Sequence, residues 1–153
     1  MATAAQFASK PYAGVPATVT AANTAIDGTG ATGRALIATA ETVTGGGTMV
    51  PLVRLAPLGT NVKTVLRFFR NNGSDPEVAG NNAFIGEVAL AASTISNTDP
   101  SLFAVDFDFR AVFGEPGLML TGHATTPERL YVTLATAVAA GIKITPINAA
   151  HLT

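Results

Sequence analysis

Leu102-Phe103-Ala104-Val105-Asp106-Phe107-Asp108-Phe109-Arg110-Ala111-Val112-Phe113 is the stretch that decides the fold. Phe103, Val105, Phe107, Phe109 and Ala111 fall on every second position, with Ala104, Asp106, Asp108 and Arg110 between them. A strand sends successive side chains to opposite faces. The segment therefore reads as a strand with one apolar and one mostly charged face, half-buried in a sheet. Wound as a helix, the same residues would spread phenylalanine and aspartate around the whole circumference, which no single core could use.

Working outward, the same alternation recurs in short runs. Residues 17–25 set Thr18, Thr20 and Ala22 against Val19 and Ala21. Strands are expected over 34–42, 48–56, 61–70, 83–91, 118–121, 129–138 and 142–147. Pro51 lacks an amide hydrogen, so the run over 48–56 needs an edge position or a bulge there. In the run over 61–70, Leu66 and Phe68 point inward and Arg67 and Phe69 outward. An outward Phe69 between two arginines reads either as a second core layer or as a subunit contact, and the contact is the reading carried forward. Glycine, proline and asparagine separate the runs, as turns require. No amphipathic helix competes. The expected fold is all-β: an antiparallel two-sheet sandwich, jelly-roll-like, with an extended N-terminal arm over residues 1–16 and one β-sandwich domain over 17–153.

Composition narrows the function. At 153 residues the chain is one domain, long enough to bury a core without disulfides. Charged residues make up only 12%, about half the usual share, while apolar residues reach 48%. Either much of the surface faces other protein, or a threonine-rich β surface is simply neutral. The net charge of −1 and the lack of a basic run leave no footprint for phosphate-driven nucleic-acid binding. There is no cysteine, no apolar run of membrane-spanning length and no secretory leader pattern. The expectation is no nucleic-acid partner, no membrane partner and synthesis in the cytoplasm.

Few residues offer chemistry. Gly28, Gly30 and Gly33 match the dinucleotide fingerprint G-x-G-x-x-G, which requires a crossover helix and a second parallel strand after it. The sequence has neither, so a glycine turn is expected. Asp106 and Asp108 share one strand face, as acid–base pairs do. Nothing apolar separates them and Arg110 continues the row, so a solvated or ion-paired strand face is expected. His123 sits in a Gly-His-Ala turn and His151 in the tail. No cofactor, no metal site and no enzymatic activity are expected.

Three places together resemble the small structural proteins of tailed bacteriophage particles. The first is Ala22-Asn23-Thr24 leading to Asp27-Gly28-Thr29-Gly30. The second is Val65-Leu66-Arg67-Phe68-Phe69 with the Asn71-Asn72-Gly73 turn, after a strand centred on Val53-Arg54-Leu55. The third is Pro116-Gly117-Leu118-Met119-Leu120 before two closing strands. The resemblance spans most of residues 17–147. It implies a β-sandwich virion protein of the capsid decoration, or cement, type, made in the host bacterial cytoplasm and located on the capsid surface. Its partners would be the major capsid protein and itself, as a homotrimer. Phe7, Tyr12 and Val15 of the arm, with Phe69, are the expected contact residues. The alternative is a tail or fibre module that binds host carbohydrate, although the chain has no tryptophan and only Tyr12 and Tyr131 as tyrosines.

Overall fold

The computed structural model describes residues 8–95, 98 and 104–152; Phe7, Leu102 and Phe103 lie outside the described residues. Strand is the main regular structure of the described chain, which has almost no helix. Its elements are β1 (Ala8–Pro11), β2 (Ala17–Val19), β3 (Arg34–Thr39), β4 (Gly47–Val50), β5 (Leu52–Pro57), β6 (Thr64–Asn71), β7 (Asn82–Leu90), β8 (Val105–Asp108), β9 (Leu118–Thr121), β10 (Arg129–Leu134), β11 (Ile142–Ile147) and β12 (Ala150–Leu152). All pairings between these strands are antiparallel. The fold is all-β, as expected, but it has three hydrogen-bonded sheets, not two.

Two sheets carry the long strands. One runs β3-β10-β6-β7 and the other β2-β11-β5-β8. In the first, Val132 pairs with Phe68 and Leu134 with Leu66; in the second, Ile144 pairs with Leu55 and Ile142 with Pro57. The inward apolar residues of both sheets join one core, most of them fully buried and Val88, Val105 and Phe107 partly so. Phe68 of β6 stacks on Phe107 of β8 at 4.6 Å between centroids and meets Phe109 edge-on at 5.6 Å. Offset and edge-to-face aromatic packing of this kind adds about 0.5–1.5 kcal/mol per pair beyond area burial. It ties the two long sheets together.

The third sheet, β1-β12-β4-β9, corrects two expectations. The single run over 48–56 breaks at Pro51: β4 before it joins this sheet, while β5 after it joins a long one. The missing amide explains the break, and Val50 and Val53 are both buried because the alternation changes phase there. The described part of the expected arm, from Ala8, lies along the body of its own chain. β1 pairs with β12, the Tyr12 N–H donates to the Ala149 carbonyl at 2.9 Å, and the Val15 N–H donates to the Ile37 carbonyl at 2.8 Å.

The opening stretch is also shorter than its pattern. β8 stops at Asp108, and Arg110–Phe113 forms one helical turn. Asp108 causes the change. Its Oδ1 accepts the Arg110 N–H at 2.9 Å, an aspartate turn that competes with the strand ladder. Phe109 is buried, as the alternation requires, and its N–H donates to the Pro51 carbonyl at 2.9 Å. Past it the pattern fails: Ala111 is exposed, and Val112 and Phe113 are about half exposed.

Candidate functional site

The outer face of the sheet β3-β10-β6-β7 is where sequence and structure diverge most usefully. Phe69 points to this face but is 1% exposed. The loop over residues 23–33 lies across it. A Cβ on Gly28 would stand 2.9 Å from the Phe69 ring, and Gly28 has φ +78°, so glycine alone fits there without strain. Phe84 closes the other side of the ring at 5.8 Å. Phe69 is therefore a second-layer core residue, and its expected role as an exposed subunit contact is corrected.

The loop is fastened by polar side chains to which the sequence reading gave no such role. Asn23 Nδ2 donates to the Thr29 and Gly30 carbonyls at 3.0 and 2.7 Å, and its Oδ1 accepts the Ala25 N–H at 2.9 Å. Asp27 Oδ1 accepts from the Thr29 hydroxyl and N–H, which holds the Asp27 carboxyl below the usual aspartate range. Arg34 reaches the Gly28 and Pro76 carbonyls and pairs with Glu77 at 2.5 Å; Glu77 in turn accepts the Gly30 N–H at 2.9 Å. Arg34 also lies 5.2 Å from the centre of the Tyr131 ring. The glycine loop is thus stitched to the loop between β6 and β7, and its Ala25, Thr29 and Gly30 amides donate to side-chain oxygens of the protein. No helix follows it, in keeping with the turn expected there.

That second loop is equally fixed. Asn71 donates to Asn82, Asn72 donates to Asn81, and Asn72 Oδ1 accepts the Ser74 N–H. Around this rigid pair of loops stand three exposed apolar side chains: Ile26 at 76%, Val78 at 52% and Phe84 at 55%. An open groove of about 240 Å³ is lined by Arg70, Asn72, Asn81, Asn82 and Glu128 among others.

The remaining candidates resolve as follows. Asp106 and Asp108 do not act as a pair. Arg54 clamps Asp106 with two bonds of 2.8 Å, and Arg110 clamps Asp108 at 2.9 and 2.8 Å. These hydrogen bonds hold both carboxyls below the usual aspartate range. Tyr12 is half-buried in its own domain, where its Oη accepts the Thr39 N–H at 3.1 Å; Val15 is 43% exposed. Phe7 lies outside the described residues. His123 folds back on its own turn, where Nδ1 accepts the Thr126 N–H at 3.1 Å. His151 lies 2.6 Å from Thr48 Oγ1. Among the described residues no cluster of three histidines or carboxylates could hold a metal ion, and no helix is long and apolar enough to cross a membrane.

The whole arrangement supplies exposed apolar groups on a stiff support, with Glu77, Asp106, Asp108 and Glu128 already engaged by arginine. No protein-family model matches this chain, and no curated protein and no solved structure matches it either.

Proposed function

We propose that this chain is a virion structural protein of the capsid decoration type, a cement protein that adheres to the outer face of a phage head and to copies of itself as a trimer. The observation that carries the reading is the rigid loop pair with Ile26, Val78 and Phe84 exposed around it. Exposed apolar clusters rimmed by polar groups mark protein-binding surfaces, and fixing the loops beforehand lowers the entropy lost on binding. The weakly charged composition and the resemblance to phage structural proteins support the same reading. The mechanism is mass action. A protein that binds the assembled shell and not its parts stabilises the shell, and linked copies hold better than single ones.

We read the eight strands of the two long sheets as a jelly roll. Numbered in chain order without β1, β4, β9 and β12, they run 1-8-3-6 in one sheet and 2-7-4-5 in the other. First pairs with last, second with seventh, third with sixth and fourth with fifth, as two interleaved Greek keys require. This order supports the jelly roll over other sandwiches.

Heads of the phage that carries this gene, prepared without the protein, provide the test. The wild-type chain is expected to bind them with saturable occupancy, and Ile26→Ser/Val78→Ser is expected to lose most of that occupancy while keeping its melting temperature. Equal occupancy of both proteins removes the loop pair from the interface, and a wild-type chain that never binds heads overturns the reading. The second reading, a tail or fibre module for host carbohydrate, rests on the polar groove of Arg70, Asn72, Asn81, Asn82 and Glu128. Saturable binding on a glycan array, lost in Arg70→Ala, is its test.

A further inference from the structure

β1 is the outer strand of the terminal sheet and meets the body along one seam. Lys10 stands opposite His151 in the ladder, and the Tyr12 ring lies 4.4 Å from the His151 imidazole. Beneath the seam sits Glu41, 9% exposed. Its Oε1 is 3.4 Å from Lys10 Nζ, and its Oε2 is buried with no hydrogen-bond partner. The Glu41 N–H donates to Thr48 Oγ1 at 3.0 Å, so Glu41, Thr48 and His151 form one connected floor. A buried carboxylate is unfavourable unless a cation meets it. Among the described residues the cation paired with Glu41 is Lys10, which is itself on β1 and 65% exposed along its side chain. The floor is incomplete until an extended strand brings a lysine to it.

We propose that this floor is a strand-binding site for an extended segment with a lysine two residues before a tyrosine, and that in the homo-oligomer it takes β1 from a second copy. Charge complementarity identifies the occupant: Lys10 and Tyr12 match Glu41 and the Thr39 N–H, and every copy presents the same pair. Exchange of identical strands keeps each contact and adds a link between copies. The connection suits a redirected strand. Pro11 and Pro16 keep it extended, and Gly14, at φ +66°, makes its one left-handed step. A chain's own strand competes at an effective concentration of about millimolar, so exchange prevails where copies are held side by side. The inference rests on the self-association proposed above.

The chain has no cysteine, so introduced thiols report cleanly. Ala8 and Leu152 are ladder partners, and such partners have Cα atoms about 4.5–5.5 Å apart, within disulfide reach. Ala8→Cys and Leu152→Cys chains of different tagged mass, which both keep Lys10 and His151, are unfolded together, refolded at about millimolar total concentration, where a neighbour's strand can compete, and oxidised. A mixed disulfide is expected at about tenfold the yield from Ala8→Cys with the exposed Ser74→Cys, and Glu41→Gln in the Leu152→Cys chain, which removes the charge that meets the incoming Lys10, is expected to cut it severalfold. Mixed product no higher than the control overturns the inference if the double variant Ala8→Cys/Leu152→Cys closes its internal disulfide, because the site then serves its own strand alone. A double variant that fails to close overturns it too, because β1 then does not lie on β12. The mass of the unoxidised sample separates the two claims. Oligomers without mixed disulfide reject the exchange and leave the decoration reading standing; monomers without it reject both self-association and exchange.

Discussion

The two long sheets have outer faces built from the same alternating pattern, yet they end in opposite environments. On the sheet β2-β11-β5-β8, the outward Arg54 and Asp106 meet each other across the strands and remain in water. On the sheet β3-β10-β6-β7, the outward Phe69 is buried as fully as the inward Phe68. Thr133, on the same outer face, is also fully buried, and its hydroxyl lacks a partner. The difference does not lie in the strands. It lies in residues 23–33, which cover one face and leave the other open. A strand's alternation fixes which side chains share a face, but whether that face is wet depends on segments distant in sequence.

Three experiments can break or sharpen this contrast. The largest effect is expected at Phe69. Phe69→Ala should destabilise the domain by about 3–5 kcal/mol in urea unfolding, as much as Phe68→Ala. A loss near zero would put Phe69 back on an open face. The next effect is at the cover itself. Gly28→Ala forces a side chain into φ +78° against the Phe69 ring, at a cost on the order of 1–3 kcal/mol. In a Phe69→Ala background that cost should shrink, because the clash has gone, and the double-mutant cycle measures the coupling. Equal costs in both backgrounds would mean that the loop does not rest on Phe69.

The smallest effect is expected on the open face. Arg54→Ala should leave the urea midpoint at pH 7 within the scatter of replicate melts, because exposed ion pairs contribute little. Its signature is in acid. Asp106 has a folded-state pKa lowered by the Arg54 hydrogen bonds. Its contribution is therefore present above the unfolded aspartate value of about 4 and is lost as pH falls through the lowered folded value. Asp106→Asn should flatten that part of the curve. An unchanged acid limb would show that the pair is not formed in solution.

The sequence exposed most of the ladder and little of the cover. β9 and β11 have the expected ends, because Leu118–Thr121 and Ile142–Ile147 alternate cleanly and glycine or proline flanks them. The acid pair was legible as a solvated or ion-paired face because Arg110 followed it, but the Arg54 partner of Asp106 comes from another strand and was not. β1 and β12 were not legible as strands: with four and three residues they are too short for a period to register, and they exist only through each other and β4. The helical turn after Asp108 was hidden because a side-chain bond to a backbone N–H two residues on leaves the apolar spacing intact. Asn23 and Glu77 could not have been found from spacing. They lie 54 residues apart and meet through the backbone of one loop. The glycines at 28, 30 and 33 were the available signal, and they were read correctly as a turn but not as a lid over Phe69.

Pro51 has a further consequence. β4 and β5 are separated by this one residue, and each is laddered on both sides, β4 with β9 and β12 and β5 with β8 and β11. A slip of one residue turns every side chain of a strand to the wrong face. Because the proline joins the two strands without slack, a slip in either would drag the other out of step with two further neighbours. Mispaired chains are thereby penalised twice, so the kink acts as a proofreading device for the register of two sheets at once.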